Sequence, residues 1–231
     1  MNTREEIKES VERIKRELGG RAELLAAVKT VPPEYINYAI DCGVTLIGEN
    51  RVSEVLEKYG RIDRTRAKLH FIGALQTNKV KYIIDKVDMI QSVDRESLAS
   101  EIEKQAAKHG IIMPVLVEIN IGGEESKSGI RPECALEFCK YLADLPHIRV
   151  SGLMAVPPKS GDQEKNAEYF RKMRKIFIDI SAAKVHNVYM EILSLGMSGD
   201  YLTAVENGST MVRIGSAIFG ARPKANTEAE K

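Results

Sequence analysis

The chain has 231 residues, 43% of them hydrophobic and 29% charged, and its 34 basic and 33 acidic side chains leave a net charge of +1. Such a balance offers no bulk field to gather nucleic acid or an anionic membrane, so an acidic ligand must be held locally. The opening Met1-Asn2-Thr3-Arg4-Glu5-Glu6 has no apolar signal core and no uncharged apolar span approaches about eighteen residues, which points to the cytoplasm and away from membranes.

Cys42, Cys134 and Cys139 are odd in number and lack CxxC spacing, so they imply neither a disulfide framework nor a zinc site and are read as small buried hydrophobes. The length suits one large domain over 1–231.

Thr3 and Glu6 form a capping-box pattern ahead of Ile7, Val11, Ile14 and Leu18 at helical spacing. With the Gly19-Gly20 stop, this predicts a helix over about 3–18. Leu24 to Val28 then reads as a strand buried on both faces, but it runs into Lys29-Thr30-Val31 and a pair of prolines. A lysine ending a buried strand is either paired or held neutral, and a neutral amine is a nucleophile toward carbonyls. From that stretch alone, a Lys29 that snorkels to solvent is the simpler account.

Pro33-Glu34 starts a helix with Ile36, Ala39 and Ile40 on one side, and Gly43 closes it. Val44 to Gly48 is the second strand, Glu49-Asn50 its exit, and Val52, Val55, Leu56 and Tyr59 the stripe of the next helix. Leu69 to Gly73 is the third strand, followed by a helix capped by Thr77 and carrying Val80, Ile83, Ile84 and Val87. The fourth, Met89 to Val93, precedes a long helix capped by Asp94. The fifth, Val115 to Asn120, leads into the polar loop Gly122 to Gly129, and Pro132 sits in the first turn of a helix with Leu136, Phe138, Cys139 and Leu142. Val150 to Val156 is the sixth strand, with a helix bearing Phe170, Met173, Phe177 and Ile180 behind it. Ile192 to Gly196 is the seventh, Tyr201 to Val205 a short helix, and Thr210 to Gly215 the eighth strand. A polar tail from about Pro223 is expected to fray.

Eight apolar runs alternating with helical patterns, with no linker between them, predict an α/β (β/α)8 TIM barrel. An open doubly wound sheet is the alternative, weakened because no GxGxxG follows the first strand.

In a barrel, function sits where strands end, and phosphate is commonly held after strands seven and eight. Those exits are Gly196-Met197-Ser198-Gly199-Asp200 and Gly215-Ser216. Each alone reads as a turn; together they fit an anion cradled by backbone N–H groups and hydroxyls. Arg213, on the face opposite Val212 and Ile214, needs a partner inside the barrel. If the eighth strand closes on the first, Arg213 lies near Lys29 and favours its neutral amine. Phosphate donors, a Schiff-base lysine and an arginine facing a ring nitrogen make the constellation wanted by pyridoxal 5′-phosphate (PLP). A salt bridge from Arg213 to Glu118 or Glu49 is the structural alternative.

The segments Ala27-Val28-Lys29-Thr30, Gly48-Glu49-Asn50, His70-Phe71-Ile72-Gly73 with Gln76-Thr77-Asn78-Lys79, Gly152-Leu153-Met154, Ser194-Leu195-Gly196-Met197-Ser198 and Met211 to Gly220 resemble the pyridoxal phosphate homeostasis protein family. Asn120 with Ser126-Lys127-Ser128-Gly129 extends the likeness, which covers nearly the whole chain in order. The resemblance implies a fold-type III barrel similar to the N-terminal domain of alanine racemase and a covalent PLP aldimine on the lysine matching Lys29. It also implies a role in vitamin B6 and amino-acid balance without established catalysis. Val28 departs from the serine or threonine of many relatives, at a side chain expected to point away from the site.

The expected cofactor-binding set is therefore Lys29 as the aldimine lysine, Arg213 at the pyridine nitrogen, and Ser198, Gly215 and Ser216 at the phosphate. Asn50 is placed against the cofactor, or as an N-cap of the next helix. His70, His109, His147 and His186 share no metal-like spacing and are read as structural, and Ser126-Lys127-Ser128 as a solvated turn.

An arginine hydrogen bond that leaves the ring unprotonated weakens the cofactor as an electron sink, and racemisation needs a second acid or base. A non-catalytic, monomeric PLP-binding protein is therefore expected, with PLP-dependent apoenzymes as possible recipients. A slow fold-type III racemase or decarboxylase, and a cofactor-free Schiff-base aldolase, are the competing readings.

Overall fold

Apolar runs that must be covered on both faces leave little choice but a sheet with side chains packed inside and helices packed outside. The computed structural model, which describes residues 1–124, 127–158 and 162–220, has that arrangement. Its strands are β1 (Glu23–Ala27), β2 (Leu46–Glu49), β3 (Lys68–Phe71), β4 (Met89–Val93), β5 (Met113–Glu118), β6 (Ile148–Met154), β7 (Val188–Ser194) and β8 (Met211–Ile214). All pair parallel to their neighbours, and β1 pairs with both β2 and β8, closing the barrel and excluding the open sheet.

The helices are α1 (Arg4–Leu18), α2 (Pro33–Asp41), α3 (Val52–Lys58), α4 (Val80–Ile83), α5 (Glu96–His109), α6 (Ala135–Ala143), α7 (Gln163–Ala182), α8 (Tyr201–Glu206) and α9 (Ser216–Phe219). The capping box of α1 forms as expected, with Thr3 and Glu6 satisfying each other's backbone N–H groups. Its Ile7, Val11, Ile14 and Leu18 are buried in the main core. Each contributes about 1.5–3 kcal/mol by leaving water.

Strand alternation divides the apolar residues in two. Ala26, Ile47, Phe71, Ile90, Val117, Leu153, Val212 and Ile214 join the large core between sheet and helices. Leu25, Leu46 and Met211, and separately Met89, Leu116 and Met154, form small clusters inside the barrel. The inner clusters are small because His70, Gln91, Ser194 and Arg213 are buried with them. Register is tight where β6 meets β7. A Cβ on Gly152, whose φ is +145°, would lie 1.9 Å from the Ile192 carbonyl oxygen, so only glycine fits that bulge.

Several local expectations change. The N-cap of α5 is Arg95 rather than Asp94, whose carboxylate pairs with the Arg95 guanidinium at 2.6 Å instead. Thr77 opens a 3-10 turn ahead of α4, with Gln76 at its cap position. Pro132 likewise begins a 3-10 turn before α6, and β7 starts four residues earlier than the apolar run suggests, at Val188. Cys139 is buried, as a small hydrophobe should be, whereas Cys42 is half-buried and Cys134 is exposed. Ser126 and the tail from Pro223 lie outside the described residues. No described helix is long and apolar enough to cross a membrane.

Candidate functional site

At the carboxyl ends of the strands the barrel opens into a cavity of about 590 Å³. Its lining includes Lys29, Asn50, Ser198, Arg213, Gly215 and Ser216, so every sequence-derived candidate is present, drawn from the ends of β1, β2, β7 and β8. The volume falls within the range of about 300–1,000 Å³ usual for small-molecule pockets.

Lys29 differs from its expected placement in one respect. β1 ends at Ala27, and Lys29 occupies a tight turn closed by the Val31 N–H donating to the Val28 carbonyl at 3.0 Å. Leu25, Ala27 and Lys29 nevertheless follow the inward-facing alternation, because Leu25 packs inside the barrel and both Ala27 and Lys29 line the cavity. The next residue, Thr30, has φ +62°, a left-handed backbone that a β-branched residue adopts only under constraint.

Arg213 sits in register with Leu25 and is 5% exposed. Its Nη1 donates to the Ser194 carbonyl at 2.7 Å and to Ser194 Oγ at 2.6 Å, and its Nη2 donates to the Ala155 carbonyl at 2.9 Å. Burial pulls the guanidinium down to about 10, against the charges of Glu118 and Asp200, which leaves it protonated at neutral pH. The alternative salt bridge does not form. Among the described residues Arg213 has no ion-pair partner; Glu49 instead pairs with Lys58 at 2.7 Å. Glu118 has its carboxyl raised to about 7, chiefly by burial and then by Asp94, with Arg213 acting the other way.

Since an arginine can only donate, it sets the direction of the hydrogen bonds behind it. The Ser194 hydroxyl accepts from Arg213 and so donates to Gln91 Oε1 at 2.9 Å. Gln91 Nε2 is then left to donate to His70 Nδ1 at 2.9 Å. His70 must accept there and carries its proton on Nε2. Burial lowers it to about 4, which keeps the ring neutral and agrees with that polarity. His70 is thus an interior structural group, and His147, half-buried and paired with Glu103 at 2.7 Å, is likewise structural.

At the ends of β7 and β8 the last two strand exits are tied together, because the Ala217 N–H donates to Ser198 Oγ at 3.2 Å. Gly215 precedes α9, and the Met197 N–H is held by Asp200 Oδ1 at 2.6 Å. Asn50 is not an N-cap. That position of α3 belongs to Arg51, without a side-chain cap bond, and Asn50 instead borders the cavity. Gly73 permits this placement, because a Cβ there would lie 2.1 Å from the Asn50 carbonyl oxygen. The sequence reading missed the cavity's apolar walls, Ala27, Ile72, Val156 and Met197. Ile72, Val156 and Met197 lie within three residues past the end of a strand, so strand-exit position was the available signal.

Comparison with known proteins matches residues 3–223 to the family model described as "Alanine racemase, N-terminal domain". The chain is similar to the pyridoxal phosphate homeostasis protein of Aquifex aeolicus, 46% identical over 228 residues, covering 96% of this chain and 99% of that one. It is also similar to the protein of the same name from Escherichia coli K12, 39% identical over 202 residues and covering 86% and 85% of the two chains. Among solved structures, PipY of Synechococcus elongatus with PLP bound superposes with a TM-score of 0.85 at 26% identity, over 93% of this chain and all of that one.

Proposed function

The chain belongs to the pyridoxal phosphate homeostasis protein family, and from that premise we propose that it holds PLP as an aldimine of Lys29 and serves intracellular vitamin B6 and amino-acid balance without turnover of its own. The observation that carries this reading is the convergence of Lys29, Arg213, Ser198, Gly215 and Ser216 on one cavity.

The donor set fits the cofactor. The anionic phosphate suits the Ser198 and Ser216 hydroxyls and the backbone beside Gly215, at the exits where barrels commonly bind phosphate. Ile72, Val156 and Met197 offer apolar surface for an aromatic ring. Arg213, its guanidinium oriented by Ser194 and Ala155, would face the ring nitrogen as a donor. Lys29 would supply the amine to the cofactor's aldehyde, its nitrogen taking the place of the carbonyl oxygen, which would leave as water with no change of oxidation state.

PLP supplies an electron sink when bound, and a guanidinium donor at the ring nitrogen limits that capacity. Racemisation also calls for a second proton-transfer group, and among the described residues the cavity lining has no carboxylate, imidazole, phenol or thiol. Both features support a binding and delivery role, and the protein proposed here is a cytoplasmic monomer with PLP-dependent apoenzymes as its recipients.

The test is incubation with PLP, borohydride reduction and peptide mapping. A yellow protein with its label on Lys29, and no label in Lys29→Ala, is expected. A colourless protein, or label elsewhere, overturns the assignment. Amino-acid turnover that is lost in Lys29→Ala would overturn the non-catalytic role.

A further inference from the structure

Directly behind Lys29, on the outer face of the sheet, lies a buried ammonium between two carboxylates. Lys58, at the end of α3 and 4% exposed, donates to Glu49 Oε1 at 2.7 Å, Glu54 Oε2 at 2.7 Å and the Val28 carbonyl at 3.0 Å. An ammonium has three donors, and all three are spent. Glu49 is fully buried and Glu54 is 9% exposed, so the trio is shielded from solvent.

What it grips is specific. The Val28 carbonyl precedes Lys29 and the Thr30 N–H follows it; Lys58 takes the first and Glu54 Oε2 accepts the second at 2.6 Å. Glu49 Oε2 also accepts the N–H of Asn50, at 3.3 Å, on the neighbouring strand exit. The turn held this way contains Thr30 at φ +62°, a strained conformation that persists only where its surroundings over-determine it. A structural ion cluster could have gripped any backbone. This one brackets the residue that lines the cavity with its amine.

We propose that Glu49, Lys58 and Glu54 form a backbone clamp that positions Lys29 for attack on an aldehyde in the cavity, with Glu54 holding the left-handed turn at Thr30. The proposal rests on Lys29 being the residue that captures PLP. These are positioning residues: they touch neither the amine nor the cavity, and they act through the backbone on either side of Lys29.

The experiment compares wild type with Glu54→Leu, which removes the acceptor of the Thr30 N–H and leaves Lys58 paired with Glu49. Aldimine formation with PLP, followed by visible absorbance and borohydride trapping on Lys29, is expected to slow about tenfold, the effect of losing one charge-assisted bond from a near-attack geometry. Affinity for pyridoxine 5′-phosphate, which lacks the aldehyde but keeps the ring nitrogen and the phosphate, is expected to stay within about twofold, since it binds without reacting with Lys29. Thr30→Gly added to Glu54→Leu is expected to recover most of the rate, because glycine accepts the left-handed backbone without a clamp. If Glu54→Leu does not fold, Glu54→Gln gives the same comparison with a slowing of about threefold, a neutral acceptor replacing a charged one. Trapping on Lys29 at the wild-type rate in the folded variant overturns the clamp, as does an equal loss of pyridoxine 5′-phosphate binding. Failure of wild type itself to trap PLP on Lys29 is a separate result, which overturns the cofactor assignment.

Discussion

Two cavities of nearly equal size lie at the ends of the barrel, about 590 Å³ at the carboxyl ends of the strands and about 600 Å³ at their amino ends. Both are rimmed by charge, and they differ in where that charge is directed. At the amino end, Arg149 is bound to both oxygens of Glu191 at 2.8 and 3.0 Å, Asp88 is paired with Arg64, and Asp85 with Lys86. At the carboxyl end, neither Lys29 nor Arg213 has an ion-pair partner among the described residues, and the nearby carboxylates Glu49 and Glu54 are committed to Lys58. Volume does not separate a binding site from a structural recess here. Cations at least partly withdrawn from solvent and left without protein counter-ions do, because they retain electrostatic capacity for an anionic ligand; Lys68 at the amino end has no ion-pair partner among the described residues either, but it is exposed.

Arg213→Leu should break this contrast most severely. It removes the guanidinium and strands the Ala155 carbonyl in the interior, while the Ser194 carbonyl keeps the Ala155 N–H at 3.3 Å, so PLP affinity should fall about 10–100-fold. The fold should lose about 2–4 kcal/mol, read by ligand titration and urea unfolding of the same preparation.

Acid should act next, through the interior chain that joins the two ends. His70 borders the amino-end cavity and is held to about 4 by burial, below its ordinary 6.5. A histidine with a depressed pKa is neutral in the fold, and the unfolded chain binds more protons. Its contribution to stability is therefore complete above pH 6.5 and is lost as pH falls from 6.5 toward 4. Up to about 3 kcal/mol should disappear across that window in wild type, and His70→Leu should flatten the dependence. Urea midpoints collected through the window would measure it; equal slopes in the two proteins would place the acid sensitivity elsewhere.

The smallest effect belongs to the amino-end cavity itself. Arg149→Ala removes a pair whose side chains are 34% and 55% exposed. It should cost about 0–1 kcal/mol and leave PLP affinity unchanged. A loss of binding in this variant would mean that the two ends are not distinct in function.

The barrel and much of the site are legible in the sequence because their signals are local. The α1 capping box, the alternation that sends Arg213 inward while Val212 and Ile214 face the helices, and the glycine-serine exits of β7 and β8 are each written in a few consecutive residues. Asn50 reads as an N-cap or a cavity residue from the sequence alone, because a polar residue at a strand exit suits both equally well, and only the chain direction after β2 distinguishes them. The clamp was not legible. Glu54 and Lys58 form an ordinary helical i,i+4 pair, and nothing local in the chain brings Val28 and Glu49 to them.

The sequence by itself determined the order of strands and helices, the face each apolar residue takes, and Lys29 as an amine at the end of a buried strand. Those properties follow from periodicities of about 2 and 3.6 residues, which each segment carries alone. Only the tertiary structure decided the partners: Ser194 and Ala155 for Arg213 in place of a carboxylate, and Lys58 with Glu54 on either side of the Lys29 turn. Hydrogen bonds act over about 3 Å, so which groups meet depends on barrel closure and strand register rather than on any segment's own pattern.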